Sequence, residues 1–135
     1  MSASASENIL ARLLVTLLGA AIGASVERDR MVAFEREDLP GVVIKPKNEE
    51  SQLLARSLLR CVLAVEIEVH TRGNVPSTLA DPIAVAIHTA ILADPQLNGV
   101  VAQAIRTGKE WEFSDSDGTG GKLTLTYQFH YAEPA

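Results

Sequence analysis

The sequence predicts an α+β fold, one mostly antiparallel sheet with two helices packed on one face, in a single domain over residues 1–135. Three observations carry this. The stretch 61–72 places Cys61, Leu63, Val65, Ile67 and Val69 on one parity and Glu66, Glu68, His70 and Arg72 on the other, the period of a strand with one buried and one wetter face. Two apolar segments, 9–24 and 82–93, repeat at helical spacing. Finally, strand-like segments follow one another directly instead of alternating with helices, which favours α+β over α/β.

The chain opens on the first helix. Ile9, Leu10, Leu13, Leu14, Leu17, Leu18 and Ala21 form a broad stripe, with Arg12, Thr16 and Gly19 off it. Ser6 is the expected cap, and Glu7 suits the positive end of the helix dipole. No basic residue precedes the apolar run and Arg12 interrupts it, so the segment reads as a packed amphipathic helix and not as a secretory signal or a membrane span. The small residues Gly19, Ala20, Ala21, Gly23 and Ala24 would let its end approach a sheet or a neighbouring subunit closely.

A strand is expected over 26–34, a charged turn at Glu35, Arg36, Glu37 and Asp38, and punctuation at Leu39-Pro40-Gly41. Val42-Val43-Ile44 reads as a short strand closed by Lys45-Pro46, since proline donates nothing to a ladder. Residues 47–51 are polar and loop-like, and 52–59 fits a loop, an arm or a helical turn equally. The stretch 61–72 is the central strand, whose register is fixed because a one-residue slip would bury two carboxylates.

Asp81-Pro82 is the expected start of the second helix, a carboxylate cap followed by proline at the first helical position. Asp94-Pro95 is its stop. Ile83, Ala84, Val85, Ala86, Ile87, Ala90, Ile91 and Leu92 leave little polar surface, so this helix is expected to be covered on more than one side. Leu97-Asn98-Gly99 is a turn. In the closing hairpin Ile105, Thr107, Trp111 and Phe113 share one parity, as do Leu123, Leu125, Tyr127, Phe129 and Tyr131. Residues 114–121, rich in Gly, Ser and Asp, form its tip.

No catalytic constellation emerges, and the chain is expected not to be an enzyme. No Gly-rich loop opens a helix to hold phosphate. Asp115 and Asp117 sit in a glycine-rich tip unsuited to preorganised acid–base chemistry. A calcium loop starting at Asp115 would need glutamate at position 126, which is Thr126. His70, His88 and His130 have no zinc spacing, and His88 reads as a hydrogen-bonded structural histidine. The lone Cys61 reads as a small core hydrophobe. No cofactor is expected. The net charge of −5 argues against a general nucleic-acid binder and against docking on an anionic membrane.

The whole plan resembles the tail terminator, or minor tail protein, family of long-tailed bacteriophages. The resemblance lies in the opening helix, Leu39-Pro40-Gly41-Val42-Val43-Ile44, Val65-Glu66-Ile67-Glu68-Val69-His70, the helix between Asp81-Pro82 and Asp94-Pro95, and the final hairpin. It implies a structural protein of a phage or prophage, assembled in the host cytoplasm into the virion tail. There it would cap the tail tube as a ring, a hexamer by resemblance, contacting itself, the major tail tube protein and the head–tail connector. DNA would pass through without specific binding, and no membrane is involved. The expected partner contacts are loops: Glu35, Arg36, Glu37 and Asp38; Lys47, Asn48, Glu49 and Glu50; and Asp115, Ser116, Asp117 and Lys122. The alternative is a small bacterial dimeric α+β ligand-binding or regulatory domain.

Overall fold

The computed structural model describes residues 3–30, 34, 39–113 and 120–135. The order is α1 (Ala5–Gly19), β1 (Ser25–Arg28), β2 (Gly41–Ala55), β3 (Leu58–Arg72), α2 (Pro76–Ala93), β4 (Gln103–Phe113) and β5 (Gly120–Pro134). The strands form one five-stranded sheet in the order β1-β2-β3-β5-β4. β1 runs parallel to β2, and the remaining pairs are antiparallel. The α+β class, the mostly antiparallel sheet and the central position of 61–72 are as the periodicities predict.

Residues directly opposite in an antiparallel pair share a face. Val42 and Ile44 therefore sit with Val69 and Ile67, which in turn sit with Leu123 and Leu125. Both helices cover this face. Ile9, Leu10, Leu13 and Leu17 of α1 join Ala80, Ile83, Ala84, Ile87 and Ile91 of α2 and the inward residues of β2, β3 and β5 in one core cluster. Cys61 lies fully buried within it. An ion pair pins the start of α1 to the sheet: the Arg28 guanidinium donates to both carboxylate oxygens of Glu7, at 2.9 and 3.0 Å.

Several boundaries differ from expectation. Helix α1 is capped by Ser4, whose hydroxyl accepts from the Glu7 amide, and not by Ser6. It ends at Gly19, so Ala21 lies beyond it and exposed, while Leu18 points to solvent. Ile22 is buried instead, after which Gly23 takes a positive φ of 75° and turns the chain into β1, a conformation that costs glycine little.

Helix α2 begins at Pro76, with Pro82 inside it. An interior proline removes one helical hydrogen bond and crowds the preceding turn. The helix continues because its buried stripe, Pro76, Ala80, Ile83, Ala84, Ile87 and Ile91, anchors it on both sides of Pro82. Its first turn sits close on the sheet: the Thr71 hydroxyl donates to the Pro76 carbonyl at 2.9 Å. Gly121 permits this approach, since a Cβ there would lie 2.6 Å from Pro76 Cβ. Contrary to expectation, α2 is covered on one side only; Leu79, Val85 and Leu92 are exposed.

The largest correction concerns β2. It does not close at Pro46, and 47–51 is not a loop. A bulge between Pro46 and Asn48 absorbs the proline, and pairing with β3 continues to Ala55 opposite Leu58. Residues 52–59 are thus the end of a long hairpin, turning at Arg56-Ser57. β3 pairs with β5 over the same length, to Leu58 opposite Pro134. Beyond the last β4 pair, Gln103 opposite His130, the ends of β2, β3 and β5 continue as a three-stranded arm. β2 is buried over Val42, Val43 and Ile44 but exposed from Pro46 onward. In the first segment after α1, the described strand is confined to Ser25–Arg28; residues 31–33 lie outside the described part.

Candidate functional site

The expected contact residues separate into three groups. Lys47, Asn48, Glu49 and Glu50 are exposed as expected, but they lie on strand β2 and not on a loop. Lys122 lies within β5, opposite His70 on one side and Glu112 on the other. Glu35, Arg36, Glu37, Asp38, Asp115, Ser116 and Asp117 fall outside the described residues, as does the expected hairpin tip.

On the face away from the helices, charged groups cross four strands in a row. Glu68, nearly buried, receives Lys45 Nζ at 3.1 Å, and Lys122 Nζ lies 3.8 Å from its second oxygen. Lys122 then meets Glu112 at 3.1 Å. The row Lys45–Glu68–Lys122–Glu112 therefore runs from β2 through β3 and β5 to β4. Burial pushes the Glu68 carboxyl up, but hydrogen bonds from His70 and Lys45 and the charges of Lys45 and Lys122 outweigh it, and the net pKa is lowered. Burial lowers the pKa of His70, helped by the two lysines and opposed by Glu68. A neutral His70 then donates from Nε2 to Glu68 Oε1 at 3.0 Å, as an ionised carboxylate can only accept. Phe34 covers this end of the sheet, with its ring centroid 5.1 Å from that of His70.

The other two histidines occupy separate places. His88 Nδ1 bonds the Tyr127 hydroxyl at 2.9 Å, in keeping with its expected structural role. Burial pushes the Tyr127 hydroxyl up to about 12, against the lowering influence of Arg106. His130 lies on β5 between Val62 and Gln103. Among the described residues, no group of three His, Cys, Asp or Glu side chains could hold a metal ion.

Two open edges bound the sheet. β1 pairs with β2 only as far as Ile44, so among the described residues the outer edge of β2 over 45–55 has no strand beside it. The outer edge of β4 is open along its length in the same sense. Unpaired edges are templates for another chain, and exposed apolar groups gather at both. Leu53, Leu54 and Leu58 mark the arm, and Ile105, Trp111 and Phe113 mark β4. Trp111 and Phe113 are 49% and 56% exposed, which is unusual for large aromatics away from an interface.

A bulge between Arg106 and Gly108 also separates these residues by face. Trp111 and Phe113 oppose Leu123 and Gly121 on the helix side, whereas Ile105 opposes Gln128 on the other. Their shared parity in the sequence therefore does not give a shared face. Between α2 and the segment that follows α1, an apolar cleft of ≈ 690 Å³ opens, lined by residues including Ile22, Leu39, Leu79, Pro82 and Ile83.

An arm is only one of three readings the sequence allows for 52–59, because the outer half of β2 is exposed on both faces and carries no period-two signal. Leu53-Leu54 and Leu58-Leu59 flanking Ala55-Arg56-Ser57 are the trace a hairpin reading could have used.

No protein-family model and no curated protein matches this sequence. Among solved structures, the chain is similar to one described as "Virion of native gene transfer agent (GTA) particle". The TM-score is 0.70 at 13% identity, covering 98% of this chain and 100% of that one. At that identity the likeness is one of fold, and it extends over both chains end to end.

Proposed function

We propose that this chain is a structural protein of a phage-like virion and acts as a tail terminator, a ring that caps the finished tail tube and meets the head connector. The observation that carries the reading is the full-length fold likeness to a chain of a gene transfer agent virion. The surface supports it. Two open sheet edges and an uncovered face of α2, all with exposed apolar residues, are features of a subunit that completes its burial in an assembly. A ring subunit needs two different faces that meet head to tail, and the β2 and β4 edges are two such faces. In this role the protein performs no chemistry. DNA passes through the ring without specific recognition, as suits a chain of net charge −5.

The test is complementation. A phage or prophage lacking this gene should produce headless tails or tails of uncontrolled length, and the protein supplied in trans should restore joined particles in electron micrographs. Normal particles without the protein would refute the reading. The apolar cleft beside α2 keeps the ligand-binding alternative specific: a compact two-fold dimer that binds apolar small molecules there would favour it over a ring.

A further inference from the structure

We infer that the outer edge of β2 over residues 45–55 pairs antiparallel with the outer edge of β4 of a second copy of this chain, so that the sheet continues from copy to copy. This rests on the ring reading above and names the surfaces that would close it.

Direction comes first. β2, β3, β5 and β4 are neighbours in that order, each antiparallel to the next, so β2 and β4 run in opposite senses. A second copy in the same orientation therefore presents its β4 antiparallel to β2. This is a head-to-tail contact, the kind that closes rings. The edges also match in extent: β4 has eleven residues, the same as the free stretch of β2.

Register comes next. Along 45–55 the β2 edge carries register shifts at Lys47 and at Leu54, and the β4 edge carries one at Thr107. With the shifts at Lys47 and Thr107 kept, registers two residues apart all place same-face residues opposite each other up to Leu53, and the one chosen here also joins the two ends of the charge row. It sets Lys45 against Glu112, Pro46 against Trp111, Asn48 against Glu110, Glu49 against Lys109 and Gln52 against Ile105. The charges agree with it. β2 runs from basic (Lys45, Lys47) to acidic (Glu49, Glu50), and β4 from basic (Arg106, Lys109) to acidic (Glu110, Glu112), so antiparallel pairing brings opposite signs together at both ends. Parallel pairing would bring like signs together, which destabilises cross-strand pairs.

Two features within the single chain fit the same alignment. Lys45 and Glu112 are the ends of the charge row that crosses the open face, so the contact joins the row of one copy to that of the next. Glu49 lies on the helix side near Glu133; partial burial and the Glu133 charge hold its carboxyl above the ordinary range. A Lys109 from the neighbour would relieve this.

The test uses the full chain with the buried Cys61 left in place. Asn48→Cys and Glu110→Cys are combined in one chain and oxidised. The expected result is a covalent ladder ending in a closed ring. A mixture of the two single variants should stop at dimers, and neither single variant should cross-link alone. A second measurement is independent of thiols. Glu49→Lys should abolish assembly at concentrations where the parent assembles, and adding Lys109→Glu should restore it. If the parent forms rings but the cysteines do not join and Glu49→Lys changes nothing, the edge pairing is wrong and the ring reading survives. If the parent stays monomeric at every concentration and no cross-link forms, both fail. Efficient cross-linking of Asn48→Cys to itself would show a two-fold edge contact and overturn the inference.

Discussion

The covered centre of the sheet and the outer half of β2 adjoin each other, yet they are held by different physics. Under the helices, β3 alternates almost perfectly, with Cys61, Leu63, Val65, Ile67 and Val69 each buried, and burial of these side chains drives the packing. Along the outer half of β2, Asn48, Glu50 and Gln52 remain exposed on one face, as do Glu49 and Leu53 on the other. There, backbone pairing to β3 holds β2: Glu49 and Ser51 lie beside the buried Leu63 and Cys61 but are themselves exposed. The same strand thus supplies stability at one end and an accessible edge at the other.

Truncations should break the two halves unequally. Phe129→Ala removes a fully buried ring from the covered half and should destabilise the monomer by about 3–5 kcal/mol. Leu13→Ala, at the buried centre of the α1 stripe, should cost about 2–5 kcal/mol, read by denaturant unfolding. Leu53→Ser, at 61% exposure on the arm, should stay within about 0.5 kcal/mol of the parent. A loss at Leu53 comparable to that at Leu13 would show that the arm packs onto the monomer.

A smaller effect lies between the halves, at Glu68. Glu68→Gln leaves Lys45, Lys122 and His70 without their carboxylate and should cost about 1–3 kcal/mol. The same site sets an acid limb of stability. His70 has a lowered pKa in the fold, so its contribution is complete above its ordinary value of 6.5 and is lost as pH falls below it. Glu68 is also lowered, so its contribution is lost at still lower pH, as the carboxylate takes up its proton. Melting temperature should fall from pH 7 downward, and His70→Gln should flatten the first part of that fall. An unchanged profile in that variant would remove His70 from the account. At the alkaline end the raised Tyr127 hydroxyl predicts declining stability above pH 10, extending to about 12, because the unfolded chain ionises first.

How far the sequence could be read follows the same division. The central strand, β5 and the helices were legible because burial imposes a period, and β3 and β5 show it in nearly every residue. Boundaries were misread where a local signal competed with tertiary packing. Asp81-Pro82 has the form of a helix start, but the buried Pro76 and Ala80 pull the helix back by more than a turn. Pro46 has the form of a strand end, but a bulge lets β2 run past it. The bulge at Thr107 likewise parts Ile105 from Trp111. Bulges shift parity without changing composition, so no period survives across them. Of the candidate contact residues, Lys47, Asn48, Glu49 and Glu50 are exposed as their polarity suggests, while the edge they line is not visible in the sequence, because an edge is a property of strand order.

The covered centre of the sheet carries the monomer's stability, while the β2 and β4 edges await a partner. Amide hydrogen exchange, followed in the monomer and again in the assembled state, tests both parts at once. In the monomer, amides of β3 between Cys61 and Val69 should exchange only through global unfolding, and outward-facing amides of 45–55 and of β4 should exchange fast. On assembly, those same edge amides should become protected, with little change in β3. Protection appearing instead on the exposed face of α2, with both edges still exchanging freely, would contradict the account.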